Sequence, residues 1–211
     1  MGTRNLTCVY LDGKYRVAQY GQWDGYPEGQ GMTCLHFLQR MDEEKFKKEL
    51  LMIKPMPKGY TEGIMDALGA RNGLMTMEQA AKLRELFPEF HRNTAAGILQ
   101  MIMDGDVGKY LVNEIEFAAD SLFCEWCYVI DFDRRTFEVY EGFNHKPLTE
   151  EDRFFFLEEK SKKSWRENDD QYHPVKLVKS WSLDALPTDE EFLKAFREEE
   201  DEHAKPFGEE E

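Results

Sequence analysis

The fold starts from one stretch of sequence, Cys8-Val9-Tyr10-Leu11-Asp12-Gly13-Lys14-Tyr15-Arg16-Val17. Within it, Asp12-Gly13 is a strong signal for a two-residue β-hairpin turn. A type I′ turn needs positive φ at two residues in succession, which Asp or Asn and Gly tolerate best. We therefore expect Leu11 to face Lys14, and each step outward to pair one more residue. The expected partners are Cys8 with Val17, Leu6 with Gln19, Asn5 with Tyr20, and Arg4 with Gly21.

Two polar and aromatic segments meet at the open end of this hairpin, residues 3–5 and residues 20–27. We call this end the rim and predict that it binds a small anionic or nucleotide-like ligand. The guanidinium of Arg4 offers a planar cationic fork for a carboxylate or phosphate, and the rings of Trp23 and Tyr26 offer flat faces for a base or sugar. The predicted ligand-binding residues are Thr3, Arg4, Asn5, Tyr20, Gln22, Trp23, Asp24 and Tyr26.

The rim also has a purely structural interpretation. In that interpretation Arg4 and Asp24 form an ion pair, and Trp23 and Tyr26 brace a long loop. Glycines in this loop allow close approach of the backbone to a ligand. No lysine lies beside them to hold a phosphate, however, and this weakens a nucleotide interpretation. Both interpretations stay open at the level of sequence.

The composition indicates one large domain, since the chain has 211 residues of which 41% are hydrophobic. No apolar run approaches the length of a membrane span. The N-terminus also lacks the basic region and apolar stretch of a secretory signal. We expect a soluble cytoplasmic protein that does not engage membranes.

Charge is spread unevenly along the chain, whose formal net charge is −15. Residues 150–211 hold 20 acidic and 10 basic residues, a net of −10, so residues 1–149 account for only −5. A duplex nucleic acid needs a concentrated basic surface, so we exclude it as a partner. A solvated acidic C-terminal tail is the simpler interpretation, and a host protein that binds this acidic part is an alternative.

Strand signals at both ends of the chain, with helical signals between them, predict an α+β fold. The expected sheet is antiparallel with four to five strands. It combines the N-terminal hairpin, a second hairpin at about 123–140 and a late strand at about 175–183, and helices cover it. Helical signals fill about 33–120; Thr76 and Thr188 read as N-caps, and 41–44 can break a first helix in two. We assign residues 1–187 to one α+β domain and 188–211 to an acidic amphipathic helix and tail.

Metal and redox chemistry find little support in the sequence. The Cys124-Glu125-Trp126-Cys127 segment has the CxxC spacing of half a zinc site, but it sits in a strand pattern that turns the two thiols to opposite faces. No second ligand pair follows, and the histidines form no HxxxH or HExxH pairing. We expect buried thiols, no metal and no cofactor.

Carboxylates provide the candidate catalytic groups. Asp24 at the rim and Glu125 beside the second hairpin are the candidate bases of an alternative function, a hydrolase or transferase that uses Arg4 for electrostatic support. Asp131 and Asp133 are explained more simply by turn chemistry.

Two blocks of sequence carry a family resemblance. Gly2-Thr3-Arg4-Asn5-Leu6-Thr7 followed by Tyr20-Gly21-Gln22-Trp23-Asp24-Gly25-Tyr26-Pro27 resembles the signature of uncharacterised proteins in tailed phages, prophages and some bacteria. Glu125-Trp126-Cys127-Tyr128-Val129-Ile130-Asp131 is similar to a later block of that family, and the likeness covers most of residues 2–187. The resemblance implies a shared site at the rim and a phage setting, where evasion of a host defence by holding a nucleotide signal is the expected role.

Overall fold

The computed structural model describes residues 2–161 and 171–203, with side chains described as far as residue 196. The strands are β1 (Asn5–Leu11), β2 (Lys14–Gly21), β3 (Lys54–Pro55), β4 (Tyr110–Leu111), β5 (Trp126–Asp131), β6 (Thr136–Glu141) and β7 (Lys176–Ser182). The helices are α1 (Met32–Arg40), α2 (Glu43–Met52), α3 (Tyr60–Ala67), α4 (Met77–Leu86), α5 (Gly97–Asp104), α6 (Glu158–Ser161) and α7 (Asp189–His203). The predicted α+β class is confirmed, and the predicted tail beyond residue 203 lies outside the described residues.

The main sheet has five strands in the order β2-β1-β5-β6-β7. Both predicted hairpins and the late strand are present in it. Three of the four strand pairs are antiparallel, and β1 pairs with β5 in parallel. This parallel pair arises because the long helical middle of the chain returns it to the end of the sheet where β1 begins, as a parallel crossover requires.

The first hairpin contains a β-bulge that changes its register. Leu11 pairs with Lys14 as expected, but the register shifts between Val9 and Tyr10, so Val9 pairs with Val17 and Asn5 with Gly21. The expected pairs of Cys8 with Val17 and of Asn5 with Tyr20 are therefore wrong.

Arg16 is the extra residue of this bulge. Its Nε donates to the carbonyl of Leu11 at 3.1 Å and its Nη2 to Asp12 Oδ2 at 3.1 Å. An inserted residue moves every later partner by one position, which the turn signal alone does not reveal.

Helices cover one face of the sheet, where α1, α2, α5 and α7 pack on a cluster that includes Val9, Tyr128 and Phe137. A second cluster, which includes Leu6, Cys8 and Phe154, lies on the other face. Phe192 of α7 is fully buried and its ring centroid lies 5.2 Å from that of Trp181. The acidic helix is therefore part of the main core.

Three helix starts agree with the sequence. Thr76 Oγ1 accepts from the amide of Gln79 at 3.2 Å, and Thr188 Oγ1 accepts from the amide of Glu191 at 3.3 Å. Asp42 caps α2 and so separates it from α1, which confirms the predicted break. Within the ranges that the structure describes, no helix combines the length and apolar character needed to cross a bilayer.

The turns of the two hairpins are tied together by Asp133. Its carboxylate accepts from the amides of Asp12 at 2.9 Å and Gly13 at 2.8 Å. Asp131 shapes the second turn by accepting from the amides of Asp133 and Arg134, both at 2.8 Å. The predicted turn role of Asp131 and Asp133 is confirmed.

Candidate ligand-binding site

The rim residues lie together at the open end of the first hairpin, but their side chains fall on two faces of the sheet. Successive residues of a strand alternate between faces. Asn5 shares the face of its partner Gly21, whereas Leu6 and its partner Tyr20 occupy the opposite face, which is also that of Arg4. The bulge thus separates Tyr20 from Asn5, which the expected register had placed side by side.

On the first face, Asn5 and Thr3 hold the loop that follows β2. Asn5 is fully buried, and its Nδ2 donates to the carbonyl of Trp23 at 3.3 Å. The carbonyl of Thr3 accepts from the amide of Gly25 at 3.0 Å. A Cβ added to Gly21 would lie 2.6 Å from Asn5 Oδ1, so only glycine fits beside this amide. The Thr3 carbonyl and the Asn5 Nδ2 thus hold the loop, whereas the buried Asn5 Oδ1 has no hydrogen-bond partner among the described residues.

The loop presents its aromatic residues to solvent. Trp23 is 48% exposed and Tyr26 is 53% exposed, so neither is a core plug. Asp24 has a φ of 58°, and its carbonyl accepts from the amide of Gln30 at 2.9 Å. This backbone bond closes the loop. The Trp23 ring packs over Gly2, where an added Cβ would lie 2.0 Å from its Cε3, and about half of the ring stays exposed.

On the second face, Arg4 approaches Glu125 and Phe123. Its guanidinium carbon lies 4.5 Å from the centroid of the Phe123 ring, and its Nε lies 3.6 Å from Glu125 Oε1. The Arg4–Asp24 ion pair of the structural interpretation is not formed among the described residues; Arg4 pairs with Glu125 instead. Arg4 Nε is buried and has no hydrogen-bond partner among the described residues.

Tyr20 and Gln22 form a hydrogen-bonded pair on the same face as Arg4. The Tyr20 hydroxyl donates to Gln22 Oε1 at 2.7 Å, and the Tyr20 amide donates to Glu114 Oε2 at 3.1 Å. Burial raises the pKa of Tyr20, and the positive charges of Arg4 and Arg92 oppose this rise. The phenol therefore stays neutral at physiological pH. We call Arg4, Tyr20, Gln22, Phe123 and Glu125 the Arg4 site.

Two further acids border the Arg4 site, and neither was predicted. Burial raises the pKa of Glu114 and of Asp120, and the charge of Arg4 opposes the rise at Asp120. Their positions depend on turns far from the rim in sequence, so no local signal marks them. Phe123 was also missed as a site residue, because it lies in the turn before β5, where its amide donates to the carbonyl of Asp120 at 3.0 Å, and strand alternation does not reach it.

The two candidate catalytic bases do not converge. Glu125 Oε1 accepts from the backbone amide of Arg4 at 3.1 Å, on the second face. Asp24 lies in the loop after β2, and its carboxylate is beside Gly29, where an added Cβ would lie 2.5 Å from Asp24 Oδ2. A single reaction centre that uses both carboxylates is not built at the rim.

The CxxC cysteines lie in one buried cluster with Cys8. The expectation that Cys124 and Cys127 face opposite ways is wrong because β5 begins only at Trp126, after the first cysteine. Their predicted burial is confirmed, and it raises the pKa of both thiols. Residues 2–161 and 171–203 contain no group of three or more His, Cys, Asp or Glu side chains placed to hold a metal ion.

Comparison with known proteins gives no family, curated relative or solved structure that matches this chain.

Proposed function

We propose that this protein binds a small anionic or nucleotide-like ligand at the Arg4 site, with the guanidinium of Arg4 as the group that contacts the anion. The observation that carries the proposal is the state of that guanidinium. It is held in place by a ring and a nearby carboxylate, yet its buried Nε has no hydrogen-bond partner among the described residues. A guanidinium has five N–H donors, and a carboxylate or phosphate takes two of them at once.

Glu125 and Phe123 orient Arg4 without using its donors. Glu125 Oε1 accepts from the Arg4 amide at 3.1 Å, so the main chain fixes the carboxylate, and the Nε at 3.6 Å stays beyond hydrogen-bond distance. Phe123 supports the flat face of the guanidinium, and stacking of this kind leaves the N–H edge free. A preoriented cation of this kind loses little conformational entropy when an anion binds.

The polar and aromatic side chains near Arg4 would orient a bound ligand and offer it a surface for stacking. The neutral hydroxyl of Tyr20 and the amide of Gln22 stand on the same face as Arg4 and would orient the polar part of a ligand. Trp23 directly follows Gln22 and exposes its ring, as does Tyr26, which suits a base or sugar. In the setting implied by the family resemblance, the ligand would be a nucleotide signal of a host defence pathway, held in the cytoplasm.

The test is isothermal titration calorimetry of the full chain with two probes, AMP and inorganic phosphate. We expect the Arg4→Ala variant to bind AMP at least about tenfold more weakly, since a charge-assisted pair of hydrogen bonds is lost. Arg4→Lys should restore binding only in part, because an ammonium lacks the planar fork.

The matched control is Arg16→Ala, which removes an arginine that is also paired with a carboxylate, at the other end of the hairpin. It should bind AMP as the unmodified chain does. Absence of binding of both probes by the unmodified chain, or equal affinity of the Arg4→Ala variant, would overturn the proposal.

A further inference from the structure

The segment after α4 forms a third part of the rim, which the sequence analysis did not predict. Residues 88–96 run along the open end of the first hairpin and are fastened to it by hydrogen bonds. The amide of Gln22 donates to the carbonyl of Arg92 at 2.9 Å, and Gln19 Nε2 donates to the carbonyl of Glu89 at 3.3 Å. These bonds fix the main chain of Arg92 directly beside Gln22, a residue of the Arg4 site.

Arg4 and Arg92 lie on opposite sides of β2. This strand is at the edge of the main sheet, and β1, which Arg4 directly precedes, pairs along one side of it. On the other side, the amide of Tyr20 donates to Glu114 Oε2 and the amide of Gln22 donates to the carbonyl of Arg92. Because neighbouring strands are about 4.8 Å apart, the main chains of Arg4 and Arg92 are separated by on the order of 10 Å. The Tyr20–Gln22 pair lies between them.

The side chain of Arg92 is exposed, and its charge acts on the same hydroxyl as that of Arg4. Burial raises the pKa of Tyr20, and the positive charges of Arg4 and Arg92 oppose this rise. Charges at exposed positions are screened beyond about 10 Å, so both guanidinium groups lie near the Tyr20 hydroxyl. Within residues 2–161 and 171–196, Arg92 forms no ion pair.

A further cation reaches this place from α4. Burial lowers the pKa of His91, and the charges of Arg84 and Arg92 lower it further. Arg84, like Arg92, pairs with no carboxylate in the described part of the chain. The net charge of the chain is −15, so arginines left without a carboxylate at one place stand out. Their local positive field attracts anions.

The carboxylates around the Arg4 site are engaged by main-chain amides. Glu125 Oε1 accepts from the amide of Arg4 at 3.1 Å, and Glu114 Oε2 accepts from the amide of Tyr20 at 3.1 Å. Burial raises the pKa of Glu114 and of Asp120. A phosphate bound nearby would raise both pKa values further, because like charges disfavour the ionised form.

We propose that the ligand of the Arg4 site carries two phosphate groups, with Arg4 contacting one and Arg92 the other across the Tyr20–Gln22 pair. This inference rests on the proposed function and narrows the ligand class to a nucleotide with two phosphates. A guanidinium holds one phosphate with two of its N–H donors, so two guanidinium groups on opposite sides of β2 suit two phosphates. A nucleoside diphosphate and a dinucleotide share this chemistry.

Isothermal titration calorimetry of the full chain with AMP, ADP and cyclic di-AMP tests the second phosphate. We expect ADP or cyclic di-AMP to bind at least about tenfold more tightly than AMP, because a second charge-assisted contact is added. Preference for ADP indicates adjacent phosphates, and preference for cyclic di-AMP indicates phosphates separated by nucleosides.

Arg92→Ala should remove the advantage of the two-phosphate ligand, so that this variant binds it no more tightly than AMP. The substitution keeps the main-chain carbonyl that accepts from Gln22, and urea unfolding should give an unchanged midpoint. Arg92→Glu should weaken binding of the two-phosphate ligand beyond the effect of Arg92→Ala, through repulsion of like charges.

The matched control is Arg134→Ala, at the turn of the second hairpin. Arg134 is also exposed and forms no ion pair among the residues described, and its removal should leave all three affinities unchanged. A chain that binds AMP through Arg4 but gains nothing from a second phosphate, or an Arg92→Ala variant that keeps the gain, would overturn this inference and leave the proposed function standing. Absence of binding of both AMP and inorganic phosphate would overturn the proposed function itself, and this inference with it.

Discussion

Arg4 and Arg153 stand at opposite ends of the β1–β5 pair, and both combine a carboxylate with an aromatic ring. Arg153 is only 6% exposed; its Nε donates to Glu138 Oε2 at 2.6 Å, and its Nη2 donates to Glu138 Oε1 at 2.9 Å and also to Asp131. Arg4 is 26% exposed, and its Nε stays 3.6 Å from Glu125. The guanidinium carbon of Arg153 also lies 5.4 Å from the centroid of the Tyr10 ring. The same three kinds of group therefore build a buried, hydrogen-bonded network at one end and a partly exposed ion pair at the other.

The largest effect is expected from Arg153→Ala. This change leaves the carboxylates of Asp131 and Glu138 buried without their cation, and breaking a buried pair in this way costs about 3–5 kcal/mol. Urea unfolding followed by tryptophan fluorescence measures the loss. A loss below about 1 kcal/mol, as for an exposed pair, would remove the distinction between the two arginines.

A smaller loss is expected from Tyr140→Phe in the same network. The Tyr140 hydroxyl donates to Glu138 Oε2 at 2.5 Å in a buried environment. A hydrogen bond to a charged group contributes about 1.5–3 kcal/mol, and the ring itself is kept. The same urea titration gives the value; Tyr26→Phe, at an exposed tyrosine, is the control and should change nothing. Equal stabilities of the Tyr140 and Tyr26 variants would show that Arg153 and Thr136, which donates to Glu138 Oε1 at 2.7 Å, hold Glu138 without the Tyr140 hydroxyl.

Folding stability should also depend on pH in opposite directions at the two ends of the β1–β5 pair. Burial raises the pKa of Glu138, but hydrogen bonds from Arg153 and Tyr140 outweigh it and hold that pKa below its ordinary value of 4.5. The stability from this group is present above about pH 4.5 and is lost as the pH falls through the folded-state pKa. Burial holds the pKa of Glu114 above 4.5, so its contribution is present below that pH and is lost as the pH rises through the folded-state pKa.

Unfolding free energies measured from below to above pH 4.5 distinguish the opposite pH dependences of Glu138 and Glu114. Relative to the unmodified chain, Glu138→Gln should lose less stability on acidification, and Glu114→Gln should lose less as the pH rises from below 4.5. Parallel pH profiles for both variants would contradict the contrast between the two ends.

The smallest effect on stability is expected from Arg4→Ala. The partly exposed pair with Glu125 and the stacking on Phe123 together contribute no more than about 1 kcal/mol. Urea unfolding should give nearly the same midpoint as the unmodified chain, while the proposed affinity for AMP falls at least about tenfold. A collapse of cooperative unfolding in this variant would make Arg4 a structural residue like Arg153.

Local signals in the sequence predicted much of the fold. Asp12-Gly13, Thr76 and Thr188 act through neighbours within a few residues, and the hairpin turn and both helix starts occur where they were expected. The bulge at Arg16 was not foreseen, because a register shift depends on how the whole strand packs. The carboxylate beside Arg4 belongs to Glu125, separated from it by 121 positions. That contact follows from the parallel pairing of β1 with β5, which no short-range pattern encodes.

The bridge from Asp133 to the turn at Asp12 and Gly13 has a consequence for the order of synthesis. Strand β2 is synthesised directly after β1 and pairs with it early. The other edge of β1 stays unpaired until β5 and the Asp133 carboxylate, 121 residues after Asp12, have been synthesised. A nascent chain therefore carries a hairpin with one open apolar edge through more than half of its translation. Such an edge is a template for foreign strands, so a stalled or truncated chain that ends before residue 126 is the form of this protein most prone to aggregate.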